Sequence, residues 1–183
     1  ATSLTTKLKV KDVKDKLDLD IQLSFLDEFY NEDGYIESLS KQINSYLNAD
    51  IDFLLFSYHG IPKRQNVRTN PTYEEQVKLA SKLCAERLNL EDDQWGVAFQ
   101  SRIGPGWLQP FTDKELENLP KNGIKKIAVV CPSFVADNLE TLEEINIEAR
   151  EIFIEAGGEE FVFIPCLNND DKWIDFLVEY VSN

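Results

Sequence analysis

The chain contains one histidine, His59, and it comes directly after an apolar run that reads as a β-strand. The strand-like run is Asp52-Phe53-Leu54-Leu55-Phe56, and the histidine lies within Ser57-Tyr58-His59-Gly60-Ile61-Pro62. A neutral imidazole can accept or donate a proton near pH 7. His59 is therefore the first candidate for proton-transfer chemistry, and the competing interpretation is a histidine that only completes a turn.

Three glutamates, Glu140, Glu144 and Glu148, recur every fourth residue in a segment with helical periodicity, 139–156. On an α-helix they share one surface, opposite a predicted core stripe. That stripe consists of Leu142, Ile145, Ala149, Ile152, Phe153 and Ala156. Such a row is usually only solvated, but like charges at this spacing repel, and the row contains no basic partner. A carboxylate at the helix start that faces His59 would suit proton removal or the binding of a divalent cation.

Two further loops carry aromatic and basic side chains. The loop Phe99–Leu108 contains Arg102 and Trp107, and the loop Cys131–Asn138 contains Phe134. Trp107 either packs against its own loop or, together with Phe134, forms a wall for a flat apolar ligand. Arg102 pairs either with a ligand carboxylate or with one of the many acids of this chain.

The elements that must position these residues alternate along the chain. Apolar runs predict strands at Ile21 to Phe25, Phe53 to Ser57, Trp95 to Gln100, Ile127 to Cys131 and Phe161 to Ile164. Helical periodicity predicts helices at Gly34 to Leu47, Tyr73 to Leu88, Asp113 to Leu119 with Thr112 as its cap, and Leu139 to Ala156 with Asp137 or Asn138 as its cap. This alternation predicts a three-layer α/β domain, in which helices flank a mostly parallel sheet of about four strands.

In such a sheet the loops that follow the strands meet at the carboxyl edge, where ligands bind. The loops are His59 to Arg64, Ser101 to Trp107, Pro132 to Asn138 and Pro165 to Asn169, and we expect them to line one cleft. The chain has neither a GxGxxG nor a GxxxxGK[ST] motif, which disfavours a nucleotide phosphate site.

Composition excludes several classes of protein. A length of 183 residues suits one domain, and a net charge of −14 argues against nucleic acid as a partner. Cys84, Cys131 and Cys166 are too widely spaced for a disulfide framework or a zinc knuckle. A reducing cytoplasm is the expected compartment. The chain starts at Ala1 and contains no Met, so we expect it to continue a longer protein.

Four segments, in this order, resemble the carboxyl-terminal half of ferrochelatase, the enzyme that inserts ferrous iron into protoporphyrin to make haem. They are Ser-Tyr-His-Gly-Ile-Pro-Lys-Arg at 57–64, Phe-Gln-Ser-Arg at 99–102, Trp-Leu-Gln-Pro-Phe-Thr-Asp at 107–113 and Asp-Asn-Leu-Glu-Thr-Leu-Glu-Glu-Ile at 137–145. The resemblance extends over nearly the whole chain, including Phe29-Tyr30-Asn31, and is strongest between residues 51 and 168.

The resemblance implies a chelatase-like fold of two similar α/β domains, of which residues 1–183 form the carboxyl-terminal one. It implies that His59 is the essential histidine, as base or metal ligand, and that Glu140 is its acidic partner. The candidate metal-binding residues are His59, Glu140, Glu144 and Glu148. The candidate substrate-binding residues are Tyr58, Arg102, Trp107 and Phe134.

The resemblance also implies that the substrates are Fe²⁺ and protoporphyrin IX, and that no resident cofactor is required. The family often has His or Cys where this chain has Asn138, and a GDPY-like loop reads Asn70-Pro71-Thr72-Tyr73 here. Because no cysteine cluster follows the last helix, we expect no iron–sulfur centre. The full-length enzyme is expected to be a cytoplasmic lyase that can associate peripherally with the inner membrane.

Three interpretations remain open at this point, and the first is the carboxyl-terminal half of a ferrochelatase. Without the amino-terminal domain of the family, one wall of the cleft is missing, so we expect the isolated chain to be inactive. A related chelatase that inserts cobalt or nickel into another tetrapyrrole is the second interpretation. The third is a non-catalytic domain that binds metal or tetrapyrrole.

Overall fold

The sheet consists of four parallel strands whose order in space differs from their order in the chain. In the computed structural model, which describes residues 2–47 and 50–182 and their side chains from residue 5 onward, the strands are β1 (Phe53–His59), β2 (Trp95–Gln100), β3 (Lys126–Val130) and β4 (Glu160–Ile164). The spatial order is β2-β1-β3-β4, and every pairing is parallel. The chain therefore winds first to one side of β1 and then to the other.

Helices cover both faces of this sheet. The helices of the described chain are α1 (Thr2–Lys16), α2 (Asp33–Tyr46), α3 (Lys63–Asn66), α4 (Tyr73–Arg87), α5 (Thr112–Asn118) with a 3₁₀ turn (Leu119–Asn122), α6 (Leu139–Leu142), a π-helical segment (Glu144–Ala149), α7 (Arg150–Glu155) and α8 (Asp171–Ser182). Side chains of α2, α4 and α8 form one buried cluster with the sheet, and side chains of α5, the π segment and α7 form the other. The predicted three-layer α/β architecture is confirmed.

Strand β1 shows why the sheet is buried on both faces. Leu54 and Phe56 point into the first cluster, and Leu55 points into the second, because successive side chains of a strand alternate. Local signals set the helix ends. At α4 the Thr72 hydroxyl accepts from the Glu75 amide while the Glu75 carboxylate accepts from the Thr72 amide, which is a capping box.

The apolar run Ile21 to Phe25 was expected to form a strand, and that prediction is wrong. The structure gives the segment no regular secondary structure, and Ile21 is exposed. A strand needs a neighbour to which its backbone can hydrogen-bond, and this segment pairs with no strand of the sheet. Its apolar residues alone did not determine its conformation.

Thr112 is not the cap of α5. That helix begins at Thr112 itself, and the preceding residue, Phe111, takes the cap position. The Thr112 side chain is buried and lies 2.8 Å from the Ser57 hydroxyl. The hydroxyl that was expected to satisfy a helix end is used instead inside the core.

The predicted helix 139–156 is interrupted by the π segment, and this changes which residues face the core. Thr141, Ile145, Ala149 and Phe153 are buried, at a spacing of four, whereas Leu142 is 46% exposed. A π segment closes its hydrogen bonds over five residues, so it turns more slowly than an α-helix and keeps every fourth residue in line. The prediction that Leu142 belongs to the core is therefore wrong.

No helix in the described part of the chain combines the length and the apolar character needed to cross a bilayer.

Candidate functional site

The site lies where β1 and β3 end, at the position where the winding of the sheet reverses. In open α/β sheets this switch point is the place where adjoining loops separate and leave a crevice. β1 ends at His59, and the loop after β3 contains Ser133 and Phe134. The His59 and Phe134 rings lie 6.1 Å apart, inclined at 64°. The sheet topology thus brings a histidine and an aromatic ring to the expected edge.

The tautomer of His59 follows from one hydrogen bond. Its Nδ1 atom lies 2.7 Å from the carbonyl oxygen of Gly60. A carbonyl oxygen only accepts hydrogen bonds, so Nδ1 carries the proton and Nε2 of the neutral ring keeps its lone pair. Within residues 2–47 and 50–182, Nε2 has no hydrogen-bond partner. Nε2, the atom that can accept a proton or bind a metal ion, is therefore not engaged by any of these residues.

The backbone of His59 is held by two side chains from different elements. Its amide donates to Ser133 Oγ at 3.0 Å, and its carbonyl accepts from the Tyr73 hydroxyl at 3.0 Å. Tyr73 and Ser133 also lie 3.0 Å apart, and because the Tyr73 proton is used on the carbonyl, Ser133 is the donor in that bond. Burial raises the pKa of Tyr73. The phenol therefore remains a neutral donor, and the ring of three bonds stays closed.

Trp107 packs against the loop that follows His59. A Cβ atom placed on Gly60 would lie 3.2 Å from Trp107 Cε3 and 2.8 Å from the Gln100 carbonyl oxygen, so only glycine fits there without displacement. Leu108 N donates to the Ile61 carbonyl at 3.0 Å. Trp107 was expected either to pack against its own loop or to form a wall for a flat ligand, and packing within the loops describes its position. The ring is half-buried.

Gln100 connects His59 to the glutamate row. His59 and Gln100 are paired in the β1–β2 register. The buried Gln100 amide donates from Nε2 to the Glu140 carbonyl at 2.7 Å. Its Oε1 accepts from Ser57 Oγ at 2.8 Å. Because both ends of this amide are bonded, the backbone of Glu140 is fixed relative to the strand that ends in His59.

Glu140 combines a fixed backbone with an uncommitted side chain. Its amide donates to the side chain of Asn138, which caps α6 as predicted, at 2.8 Å. The Glu140 side chain is exposed, and in the described part of the chain its carboxylate has no hydrogen-bond or ion-pair partner. This carboxylate is available to a proton or a cation.

The other two glutamates differ from Glu140 and from each other. Both carboxylate oxygens of Glu144 are engaged by Ser101, with Oε1 accepting from its amide at 2.6 Å and Oε2 from its hydroxyl at 2.5 Å. Glu148 is exposed. The described residues contain no group of three or more His, Cys, Asp or Glu side chains arranged to hold a metal ion. His59 and the three glutamates are therefore not assembled as one cluster.

Asp137 joins the loops after β3 and β4. Its carboxylate accepts from the Cys166 amide at 3.1 Å, from Asn168 Nδ2 at 2.7 Å and from Thr141 Oγ1 at 3.1 Å. Partial burial tends to raise the pKa of Asp137, but the hydrogen bonds from Asn168, Cys166 and Thr141 hold it below its ordinary value. The start of the glutamate helix is thus anchored on both sides.

Two predicted substrate-binding residues are not available at this edge. Tyr58 is 3% exposed, and its hydroxyl lies 2.9 Å from Ser81 on α4, because alternation along β1 turns it into the core. Arg102 pairs with Asp113 at 2.7 Å and lies 4.1 Å from the centre of the Phe111 ring. The substrate contact predicted for Tyr58 therefore stays a prediction, for a side chain that lies in the core of this structure. For Arg102, pairing with an acid of the chain describes its position.

Sequence reasoning missed the residues that hold the site together, above all Gln100, Ser101, Ser133 and Tyr73. A signal existed for the first two, since Gln100 and Ser101 are polar residues at the end of an otherwise apolar strand. Ser133 precedes the predicted Phe134, but nothing in its local sequence indicates a bond to the backbone of His59. Such a bond between distant segments follows only from the fold.

Comparison with known proteins identifies the family of this chain. The profile of the family described as Ferrochelatase matches residues 1–183. The chain belongs to the ferrochelatase family. Curated ferrochelatases are 40% identical over 97% of the chain in Pseudomonas fluorescens (strain Pf0-1) and 47% identical over 87% of it in Vibrio parahaemolyticus.

The chain spans about half the length of the curated ferrochelatases it matches. The matched regions are 59% of the Pseudomonas fluorescens protein and 51% of the Vibrio parahaemolyticus protein. A ferrochelatase from Stutzerimonas stutzeri (strain A1501) shows the same proportion, at 38% identity over 90% of the chain and 55% of its own length. The resemblance inferred from four short motifs therefore extends to the whole of this chain.

Proposed function

We propose that this chain is the carboxyl-terminal half of a ferrochelatase, a lyase that inserts Fe²⁺ into protoporphyrin IX to give protohaem, the last step of haem biosynthesis. The observation that carries this proposal is the position of His59 at the switch point of a ferrochelatase-family chain, with an Nε2 atom that no group of the described residues engages. The reaction removes two pyrrole protons and forms iron–nitrogen bonds, so the site must accept protons beside the macrocycle. The roles that we propose for the individual side chains follow from that requirement.

His59 is suited to act as the proton acceptor. The bond from Nδ1 to Gly60 fixes the tautomer, and the Ser133 and Tyr73 bonds fix the backbone, so Nε2 is presented in one orientation. A base whose position is already fixed loses little entropy when the reaction occurs. Nε2 takes the pyrrole proton in this proposal, and ligation of the incoming iron by the same atom is the alternative role.

Glu140 is suited to receive protons or hydrated iron. Its carboxylate is exposed and unpaired in the described chain, and carboxylate oxygens are ligands that hard divalent cations accept. Glu148 provides a further exposed carboxylate along the helix. The carboxylate of Glu144 is committed to Ser101 and does not fit the same task.

The aromatic side chains provide part of a wall for the porphyrin. Phe134 lies beside His59, and Trp107 lies on Gly60, so both border the histidine. The remaining wall is assigned to the amino-terminal half, because the chain spans about half the length of its relatives. The proposed enzyme requires no resident cofactor, acts in the cytoplasm and can associate peripherally with the inner membrane.

The test is metal insertion under anaerobic conditions. The full-length enzyme, meaning this domain joined to the amino-terminal half, is expected to convert protoporphyrin IX and Fe²⁺ to protohaem, followed by absorbance. The isolated 183-residue chain is expected to fold, by circular dichroism, but to turn over little or no substrate, since one wall of the cleft is missing.

Two results would overturn the proposal. Preferred insertion of Co²⁺ or Ni²⁺ into another tetrapyrrole by the full-length enzyme would show a different chelatase. Binding of porphyrin with no turnover of any metal would show a non-catalytic domain. Robust activity of the isolated chain would contradict the assignment of the second wall to the amino-terminal half.

A further inference from the structure

The loop from Ser101 to Trp107 has little packing beyond the contacts of Arg102 with Asp113 and with the Phe111 ring. Ile103 is 88% exposed, and Arg102 and Pro105 are exposed as well. A Cβ atom placed on Gly104 would have no atom of the protein within 4 Å, and the same holds for Gly106. A segment with so few contacts takes its path from the points at which its ends are attached.

The carboxyl-terminal end of this loop is attached to the His59 loop. Lys63 N donates to the Gly106 carbonyl at 2.8 Å, and Leu108 N donates to the Ile61 carbonyl at 3.0 Å. These bonds place Trp107 against Gly60. Trp107 can reach this position against Gly60 only if the loop also leaves the end of β2 in the direction that the structure shows.

That direction is set at Ser101, whose backbone conformation is unfavourable. Its φ is 59°, in the left-handed region that residues other than glycine, asparagine and aspartate rarely adopt. A residue of this kind persists where its surroundings hold it. Here the Ser101 amide and hydroxyl both donate to the carboxylate of Glu144, at 2.6 Å and 2.5 Å.

The carboxylate of Glu144 therefore has a different task from the exposed carboxylates of Glu140 and Glu148. Each of its two oxygens already accepts a hydrogen bond, and short bonds to an ionised acceptor are among the stronger ones in proteins. A metal ion that bound this carboxylate would weaken the two bonds from Ser101, because the same negative charge would be shared among three partners. The Glu144 carboxylate instead belongs to the hydrogen bonds that hold Ser101.

We infer that Glu144 is a positioning residue, which acts through Ser101 to hold the loop 101–107 and hence the Trp107 side of the porphyrin cleft. The kinetic part of this inference rests on the proposed ferrochelatase function. The structural part, that Glu144 holds the loop, does not depend on it. The two parts can be tested separately.

The structural part is tested by amide hydrogen exchange in the full-length enzyme. Glu144→Leu removes both bonds, and the peptide that covers residues 101–107 is expected to exchange at least about tenfold faster than in the wild type, since bonds to charged groups contribute more than neutral ones. Glu148→Leu is the matched control, because Glu148 lies on the same row and is exposed, and it is expected to leave this peptide unchanged. Unchanged exchange in Glu144→Leu would overturn the inference.

The kinetic part compares KM for porphyrin with KM for Fe²⁺. In Glu144→Gln the side-chain oxygen can still accept from the Ser101 amide and the NH₂ group can donate to its hydroxyl, so this variant retains much of the attachment. We expect porphyrin KM to rise most in Glu144→Leu, by about tenfold, and less in Glu144→Gln and Ser101→Ala, while iron KM stays unchanged. Ser101→Ala should add little when combined with Glu144→Leu, because both changes affect one contact.

A carboxylate that carries metal gives the opposite pattern. Glu144→Gln and Glu144→Leu would then raise iron KM equally, because both remove the charge, and Ser101→Ala would behave as the wild type. That result would overturn the inference. If the wild-type enzyme inserts no metal, the proposed function fails, and the exchange measurement still decides whether Glu144 holds the loop. Glu144→Ala, which also removes both bonds from Ser101, replaces Glu144→Leu in both measurements if Glu144→Leu does not fold.

Discussion

The two sides of the strand edge hold their reactive groups in different ways. On the β1 side, His59 is fixed in its backbone by Ser133 and Tyr73 and in its ring by the bond from Nδ1 to Gly60. On the helix side, Glu140 is fixed only in its backbone, by Asn138 and Gln100, and its carboxylate remains free to move. One side presents a group in a single orientation, and the other presents a group that can reorient.

This difference suits the two tasks that the proposed metal insertion would pose. A base that must meet a pyrrole proton benefits from a fixed orientation. A carboxylate that receives protons or a hydrated cation from solvent benefits from movement, and an exposed side chain keeps it. The comparison therefore predicts a steep loss of activity on the His59 side and graded effects along the helix.

The largest effect is expected for His59→Ala in the full-length enzyme. General acid–base catalysis contributes about 10²- to 10⁴-fold to a rate, and this variant removes the only histidine of the chain. Anaerobic assays with Fe²⁺ and with Zn²⁺ measure the loss. The midpoint of urea unfolding should hardly change, because His59 is a half-buried residue at the end of a strand. Turnover close to the wild-type rate would remove His59 from the mechanism.

The next effect is expected for Glu140→Gln, which keeps the shape and removes the charge. We expect kcat to fall by about 10²-fold, the lower limit for a group that transfers protons. Glu140→Asp is the companion variant, because it retains the charge on a shorter side chain and should recover part of the rate. Equal rates for the wild type and Glu140→Gln would return this residue to the solvated surface.

A smaller effect is expected for Ser133→Ala, which breaks the bond to the His59 amide and leaves the imidazole in place. A hydrogen bond within a protein contributes about 1 kcal/mol, which corresponds to roughly fivefold in rate if all of it serves to orient His59. Tyr73→Phe removes the bond to the His59 carbonyl and is expected to act similarly. The double variant should lose less than the product of the two single losses, since both side chains hold the same residue. Independent, multiplicative losses would show that Ser133 and Tyr73 act on different groups.

The sequence was sufficient to predict the sheet and the carboxyl edge at which His59 lies, because both depend on strong local patterns. The four strands lie within two residues of the runs predicted at Phe53 to Ser57, Trp95 to Gln100, Ile127 to Cys131 and Phe161 to Ile164. The carboxyl edge followed from parallel topology alone. His59 and Glu140 were predicted as site residues because one is unique in the chain and the other begins a helix beside a predicted loop.

The remaining features depend on contacts between distant segments. The run Ile21 to Phe25 has the composition of a strand, but its conformation depends on whether another strand pairs with it. Tyr58 precedes His59, yet alternation along β1 directs it to Ser81 in the core. Glu144 has the same local pattern as Glu140, and only the fold shows that Ser101 engages its carboxylate.

The smallest effect, and the one that sharpens the comparison most, is expected for Glu148→Gln. Glu148 lies two turns beyond the start of the glutamate row and is exposed, so its loss leaves no buried group without a partner. Surface substitutions of this kind change stability by less than about 0.5 kcal/mol, and kcat should stay within about twofold of the wild type if Glu140 alone faces His59. Steady-state kinetics at varied Fe²⁺ then separates two interpretations of the row. A rise in the apparent KM for iron with unchanged kcat would show that Glu148 extends a carboxylate path toward Glu140, whereas no change in either parameter would restrict the chemistry of the helix to its first turn.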